Sequence, residues 1–351
     1  MEADEEAAEE EAPAPTSSIP PRAGPAAKKM GPSYDQISWL GQIEGLADDE
    51  FQQLAEIADN ITARATQHLP PERSDRRRQQ PRGDQRPVFS AETAKNIQQL
   101  YRSDRAKAVH QILEDAAPHY NIARDDIRDQ LATMFQGGTE DIPARPSSVP
   151  DLSGTTPPEI EEELLRPFTE GEVLARLSQM SNKAPGPDRA RYQDIKAVDP
   201  GCLVLPELFS RFLKMGRVPL SWKESNTILI HKGGERDDLG NSRPLSLGNT
   251  IAKLYAAILA DRVTVWATKT KNISPEQKGF LRNEGCLKHN SLLQSAIDDS
   301  RRNNKQLCVA WLDLANAFGS VPHQHILNTI RTMGMPERMV GSSGPDVRRA
   351  L

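Results

Sequence analysis

The stretch Trp311-Leu312-Asp313-Leu314-Ala315-Asn316-Ala317-Phe318-Gly319-Ser320-Val321 decides how this chain is read. Cys308 to Leu312 is a short continuous apolar run, the pattern of a strand buried on both faces, and it ends in Asp313. A buried strand that delivers a carboxylate at its end holds a hard cation well, because packing fixes the direction while the terminus reaches solvent. In nucleotidyl transfer, two metal ions roughly 3.5–4 Å apart clamp the attacking and leaving oxygens, and such a pair needs several carboxylates. A lone Asp there reads equally well as a turn or helix cap. The stretch does not choose by itself.

Upstream lie two further constellations. Thr227 to His231 reads as a strand, Lys232-Gly233-Gly234 as its turn and Arg243 to Leu247 as a return strand. A cation on each arm of such a hairpin could grip a triphosphate, Arg by its fork and Lys as a point charge; an exposed hairpin with ordinary charges is the bland alternative. Lys183-Ala184-Pro185-Gly186-Pro187-Asp188 pins a tight, irregular loop, which a simple helix-to-helix connector would also explain.

Helical periodicity fills the space between. Thr169 with Glu172 forms a capping box before Val173, Leu174, Leu177 and Met180. Leu205 to Met215 is an apolar helix closed by Gly216 and Pro219. Thr250 caps a long helix carrying Ile251, Leu254, Tyr255, Ile258, Leu259 and Val263. Further helices are expected over Leu287 to Arg302 and from Pro322 to Met333, with Gly334 as the stop.

The N-terminal part differs in composition. Glu2, Asp4, Glu5, Glu6, Glu9, Glu10 and Glu11 precede a Pro/Ala/Ser stretch, so like-charge repulsion and the lack of apolar area predict disorder over 1–32. A short helix follows, from about Asp48 to Ala65, within an N-terminal region, 1–87, expected to be otherwise largely disordered. Arg73, Arg76, Arg77, Arg78, Arg82 and Arg86 then sit among Pro and Gln, readable as phosphate contacts, an import signal or a solvated basic linker. Residues 88–140 form a helical segment capped by Ser90, with a second helix over Ile127 to Phe135, and 141–158 is a linker.

Composition narrows the class. With 44 Lys plus Arg against 49 Asp plus Glu, the net charge of −5 gives no global nucleic-acid footprint, so any basic site must be local. Cys202, Cys286 and Cys308 lack zinc-site spacing and read as reduced thiols. No apolar stretch reaches bilayer length and the acidic start is no secretory signal; a soluble intracellular protein, nuclear and/or cytoplasmic, is expected.

The order of these blocks is more specific than any one of them. Asn182 to Asp188, Leu229 to Gly234, Asn241 to Leu247, Gln277-Lys278-Gly279-Phe280-Leu281 and Ala310 to His323 follow one another at sensible separations. From about Glu159 to Val340 the chain resembles the reverse transcriptase domain of LINE-type (non-LTR) retrotransposons, and 88–140 looks like the segment that precedes it.

That resemblance implies an α+β architecture, fingers with a β-hairpin and the start of a right-hand polymerase palm over 159–340, followed by an unrelated tail, 341–351. It implies Asp313 as a metal-binding catalytic aspartate, with the Leu314 carbonyl as a further ligand, and Phe318 as the steric gate against a 2′-hydroxyl. Lys232 and Arg243 would contact triphosphate or template, and Gln277, Gly279 and Phe280 would line the template path. The family's cofactor is Mg²⁺; its partners are an RNA template, a DNA primer and deoxynucleoside triphosphates.

Three departures stand out. Arg189 follows Asp188 where the family usually has Gly, Gly319 replaces an acid common after the gate aromatic, and no Ala-Asp-Asp tripeptide follows Asp313. The expectation is therefore a truncated RNA-directed DNA polymerase, inactive alone. A non-catalytic nucleic-acid-binding accessory module and a non-functional retroelement fragment are the alternatives.

Overall fold

The computed structural model describes residues 31–70, 95–96, 98–99, 122–135, 155–235, 238–281, 285–313 and 321–341. The expected disordered segment (apart from residues 31 and 32), the arginine run and nearly all of the helix from Ser90 lie outside them, as does the linker before residue 155.

A single apolar cluster, running from Trp39 to Val340, organises the described chain. At its centre is α7 (Val204–Met215), which buries Val204, Leu205, Leu208, Phe209, Phe212 and Leu213 and stops at Gly216 in the left-handed region, φ 62°. Only Gly adopts that cap without strain. Edge-on aromatic contacts bind the centre together: Phe209 to Tyr255 at 5.2 Å, Phe212 to Trp222 at 5.1 Å and Phe168 to Phe209 at 5.6 Å.

Helix α1 (Tyr34–Gly45) has no counterpart in the sequence reading. Ser33 and Gln36 form its reciprocal capping box, and Trp39 and Ile43 face inward. Gln36 is fully buried, and its Nε2 donates to Asp199 Oδ1 at 2.7 Å. Asp199 in turn accepts from the backbone N–H groups of Leu203, Val204 and Leu205 at the start of α7. Thus α1 and α2 (Phe51–Thr66) pack on α7 and share its core. Helix α3 (Arg124–Phe135) brackets the expected helix.

Helices α4 (Pro158–Leu165), α5 (Glu170–Gln179) and α6 (Tyr192–Val198) come next in the chain, the last packing on α2. Thr169 accepts from Glu172 N as a cap should, but the Glu172 carboxylate turns instead to Arg262. That arginine lies on α8 (Thr250–Lys269), a twenty-residue helix packed on α4 and α5. Its Nε and Nη2 bind Glu172 at 2.9 and 2.7 Å, while Nη1 and Nη2 donate to the carbonyls of Leu164, Arg166 and Pro167. Its guanidinium carbon sits 4.1 Å from the centre of the Phe168 ring. A charge enters a core only when fully partnered, and this one is.

Between α7 and α8 lies the hairpin, β1 (Ser225–His231) and β2 (Ser242–Gly248), antiparallel with Ser225 opposite Gly248 and His231 opposite Ser242. It is the sole sheet among the described residues.

The buried strand expected over Cys308 to Leu312 is not formed. The described residues after α9 (Gly285–Arg302) are irregular up to Asp313, with Trp311 79% and Leu312 96% exposed. A strand needs a ladder partner for its N–H and C=O groups, and no described strand lies beside this run. Mixed helix with a small sheet therefore describes the fold. Helix α10 (His323–Thr332), a turn at Gly334 (φ 89°) and α11 (Glu337–Gly341) return the chain to α7, burying Met335, Met339 and Val340. No helix among the described residues is long and apolar enough to cross a membrane.

Candidate nucleic-acid interface

The hairpin has two unlike faces because side chains alternate along a strand. Its register sets Ile230 opposite Arg243 and Ile228 opposite Leu245, so these four share one face, and Lys232 follows Ile230 on the same side. Ile228, Ile230 and Leu245 are each between 43% and 48% exposed, an aliphatic strip with a cation at its outer end on either arm. Lys232 N donates to Asn241 O at 2.8 Å, which closes the ladder at the turn. Gly233 and Gly234 take φ 115° and 89°, and a Cβ at Gly234 would meet the Asn241 side chain at 2.9 Å. Among the described residues neither Lys232 nor Arg243 has a carboxylate partner, so both charges face solvent. Such a surface suits a strand of nucleic acid: phosphates for the cations, base or sugar faces for the aliphatic strip.

At the root of the hairpin the 184–190 loop is more than a connector. Gly186 lies so close to β2 that an added Cβ would be 2.3 Å from the Gly248 carbonyl oxygen. Asp188 Oδ2 accepts from Thr250 N at 2.6 Å, capping α8 from a distant part of the sequence, while Asp188 N donates to Asn249 Oδ1 at 3.1 Å. Thr250, expected as the cap, is the first helical residue and donates its hydroxyl to Ala190 O. Burial raises the Asp188 carboxyl above its ordinary range, against hydrogen bonds from Thr250, Ala190 and Gly186 that pull it down. Arg189 has φ 58°, the left-handed region that favours glycine, at the position where the sequence departs from the expected Gly.

The other predicted residues are not gathered at one described point. Gln277 Nε2 donates to Gly279 O at 3.0 Å, and Phe280 stands 96% exposed with φ 62° in the segment between α8 and α9. Asp313 is exposed, and Leu314 and Phe318 fall outside the described residues. Among the described residues, no group of three His, Cys, Asp or Glu side chains is placed to hold a metal ion. The sequence contains one Ala-Asp-Asp, at 47–49, but Asp48 is taken up by Lys214 at 2.7 Å and Arg211 at 3.2 Å. The hydrogen bond and charge of Lys214 hold that carboxyl below its ordinary value. All three cysteines are free; burial pushes the Cys202 thiol up to about 12, which leaves it inert.

Comparison with known proteins turns on the segment that contains the hairpin. Residues 230–345 match the family described as "Reverse transcriptase (RNA-dependent DNA polymerase)". The "Retrovirus-related Pol polyprotein from type-1 retrotransposable element R2" of Popillia japonica is 30% identical over 173 residues, 49% of this chain and 23% of that protein. Residues 230–345 are thus similar to the reverse transcriptases of LINE-type retrotransposons. The R2 protein of Bradysia coprophila is 28% identical over 250 residues, covering 70% of this chain and 27% of that relative. The "RNA-directed DNA polymerase from mobile element jockey" of Drosophila melanogaster is 27% identical over 191 residues, 51% of this chain and 21% of its own length. The chain thus spans about a quarter of the length of these relatives.

Sequence reasoning missed two residues that tie the described chain together, Gln36 and Arg262, and noticed Asp188 only as part of its loop. A signal existed for Arg262, which continues the apolar stripe Ile251, Leu254, Tyr255 and Ile258 at helical spacing. For Asp188 the signal was only its place in a Pro-Gly-Pro loop, and no local pattern joins Gln36 to Asp199.

Proposed function

We propose that this chain supplies the nucleic-acid grip of an RNA-directed DNA polymerase. The observation that carries the reading is the hairpin face, where Lys232 and Arg243 flank an exposed aliphatic strip inside the segment that matches reverse transcriptases. On this reading the two cations hold template or triphosphate oxygens, and Gln277, Gly279 and Phe280 extend the path of the template. Phe318 is the gate against ribose and Asp313, with the Leu314 carbonyl, belongs to the Mg²⁺ site of a complete enzyme.

The described residues do not by themselves fit a Mg²⁺ pair. Asp313 is a single exposed carboxylate, and Mg²⁺ keeps its waters unless several oxygens are offered in near-octahedral array. The 351-residue chain binds RNA and deoxynucleotides but does not extend a primer.

Primer extension tests this reading, with the native chain and with a chimera that carries the remaining palm of an R2 relative. The native chain should be silent and the chimera should extend, with Asp313→Asn abolishing extension and Phe318→Ala admitting ribonucleotides. Extension by the native chain would refute the incomplete site, and an active Asp313→Asn chimera would refute the metal assignment. The lone exposed carboxylate also favours a second reading, a non-catalytic binding module; RNA binding that persists while the chimera stays silent would select it.

A further inference from the structure

We infer that the 184–190 loop is the clamp that aims the hairpin, and that Asp188 is a positioning residue for the cations carried at its far end. The inference rests on the hairpin being the grip, but the clamp can be measured without any nucleic acid.

A two-stranded ribbon has few contacts of its own, so its direction is set where it is rooted. Both ends of the root converge on one residue. Asn249, directly after β2, donates through Nδ2 to Ser221 O at 2.6 Å, in the short turn of 3₁₀ helix (Leu220–Lys223) that leads into β1. The Oδ1 of the same side chain accepts from Asp188 N, while Asp188 Oδ2 accepts from Thr250 N. The entry strand, exit strand and first turn of α8 are thereby tied to a single loop. Gly186 presses that loop onto the Gly248 carbonyl where no other residue would fit, and Thr250 closes it through Ala190 O. The hydrogen bonds of Asp188 to Asn249 and Thr250 both lie at the root, so its influence on the exposed face passes through the root.

Leverage makes the root matter. Lys232 lies seven residues beyond Ser225, about 23 Å at ~3.3 Å per residue, and a tilt of about 10° at the root would carry it roughly 4 Å. A displacement of that size exceeds the tolerance of a hydrogen bond to a phosphate oxygen. The inner carboxylate oxygen, Oδ1, is buried without a hydrogen-bond partner. The side chain therefore holds α8 through Oδ2 alone, while the backbone N–H of Asp188 holds Asn249.

Two readouts on the full chain decide the matter. The first is a distance distribution between spin labels on exposed Glu235, beside the turn, and exposed Thr268, on α8, with Cys286→Ser and Cys308→Ser removing stray labels. Asp188→Ala should broaden it, while Asp188→Asn, which keeps an acceptor for Thr250 N, should restore the native width. An unchanged distribution in Asp188→Ala overturns the clamp. The second is affinity for single-stranded RNA measured well below the melting temperature. Asp188→Ala should weaken binding about tenfold in the native background and have no effect once Lys232→Ala and Arg243→Ala are present. Equal losses in both backgrounds would mean a general structural role and overturn the positioning assignment. A broadened distribution in a chain that binds no RNA would uphold the clamp and refute the grip. Should Asp188→Ala fail to fold, Asn249→Ala breaks the same root from the other side and is held to the same outcomes.

Discussion

Replacing Arg262 with Met should cost about 3–4 kcal/mol of folding stability, a large share of the roughly 5–15 kcal/mol typical of a domain. The figure follows from what the guanidinium touches. Five donor contacts disappear: two to Glu172 and three to the carbonyls of Leu164, Arg166 and Pro167. Removing one member of a buried pair generally costs about 3–5 kcal/mol, because the partner is left charged and dry. Two features pull the value toward the lower end. Glu172 keeps Arg166 Nη1 at 3.2 Å, and its side chain is 17% exposed against 6% for Arg262, so water and a second cation cover part of the loss. Met preserves much of the apolar volume against Phe168. Urea unfolding followed by tryptophan fluorescence is a suitable assay, since Trp39, Trp222 and Trp266 are all buried in the shared core. Arg262→Met combined with Glu172→Met should recover at least about 1 kcal/mol relative to the single change, because no orphan charge remains. A single-variant loss below about 1 kcal/mol, or a double variant worse than the sum of its parts, would refute this account of the buried Arg262–Glu172 pair.

Other expectations follow from single residues. Arg189→Gly should be more stable than Arg189→Ala by about 0.5–1 kcal/mol in the same unfolding assay, because both lose the hydrogen bond to Pro70 O but only Gly relieves the left-handed backbone; equal stability would contradict the φ of 58°. Tyr255→Phe should gain about 1 kcal/mol, since the Tyr255 hydroxyl is buried without a partner among the described residues, and a loss of stability would show that it has one. Burial, the largest single influence, pushes the Glu172 carboxyl up, but the hydrogen bond and charge of Arg262, with Arg166 and the Thr169 cap, together hold it below its ordinary 4.5. Its contribution is complete above that value and lost as pH falls through the lower folded value, so Glu172→Gln should flatten the acid side of the stability curve. Asp188 carries the opposite sign: its raised folded value favours folding at lower pH, and that contribution is lost as pH rises through it.

Much of this fold was legible because local chemistry and tertiary packing agree. The Phe51–Thr66 helix, α7 with its Gly216 cap, and both strands of the hairpin lie within a few residues of where periodicity and turn residues put them. What failed was context. Cys308 to Leu312 has the composition of a buried strand, yet burial requires neighbours on two sides, and composition cannot supply them. Helix α1 was hidden because two glycines, Gly41 and Gly45, and a polar Gln36 dilute its apolar face, and because Gln36 is buried only through a partner far along the chain. Lys232 and Arg243 were singled out from the hairpin pattern, and the register sets them on one face. Asp188 was noticed as part of a motif, but its partnership with Thr250 spans sixty-two positions and leaves no local trace. The Arg189 departure was visible as an odd residue; its left-handed backbone supplies the reason Gly would be expected there.

The grip itself is tested most directly by the salt dependence of single-stranded RNA binding, native chain against the Lys232→Ala/Arg243→Ala double variant. Each phosphate contact on a single strand adds about 0.7 to the magnitude of the slope of log affinity against log salt. The account predicts weaker binding by the double variant and a slope shallower by about 1.4. Measurable binding whose affinity and slope are the same in both proteins would contradict it.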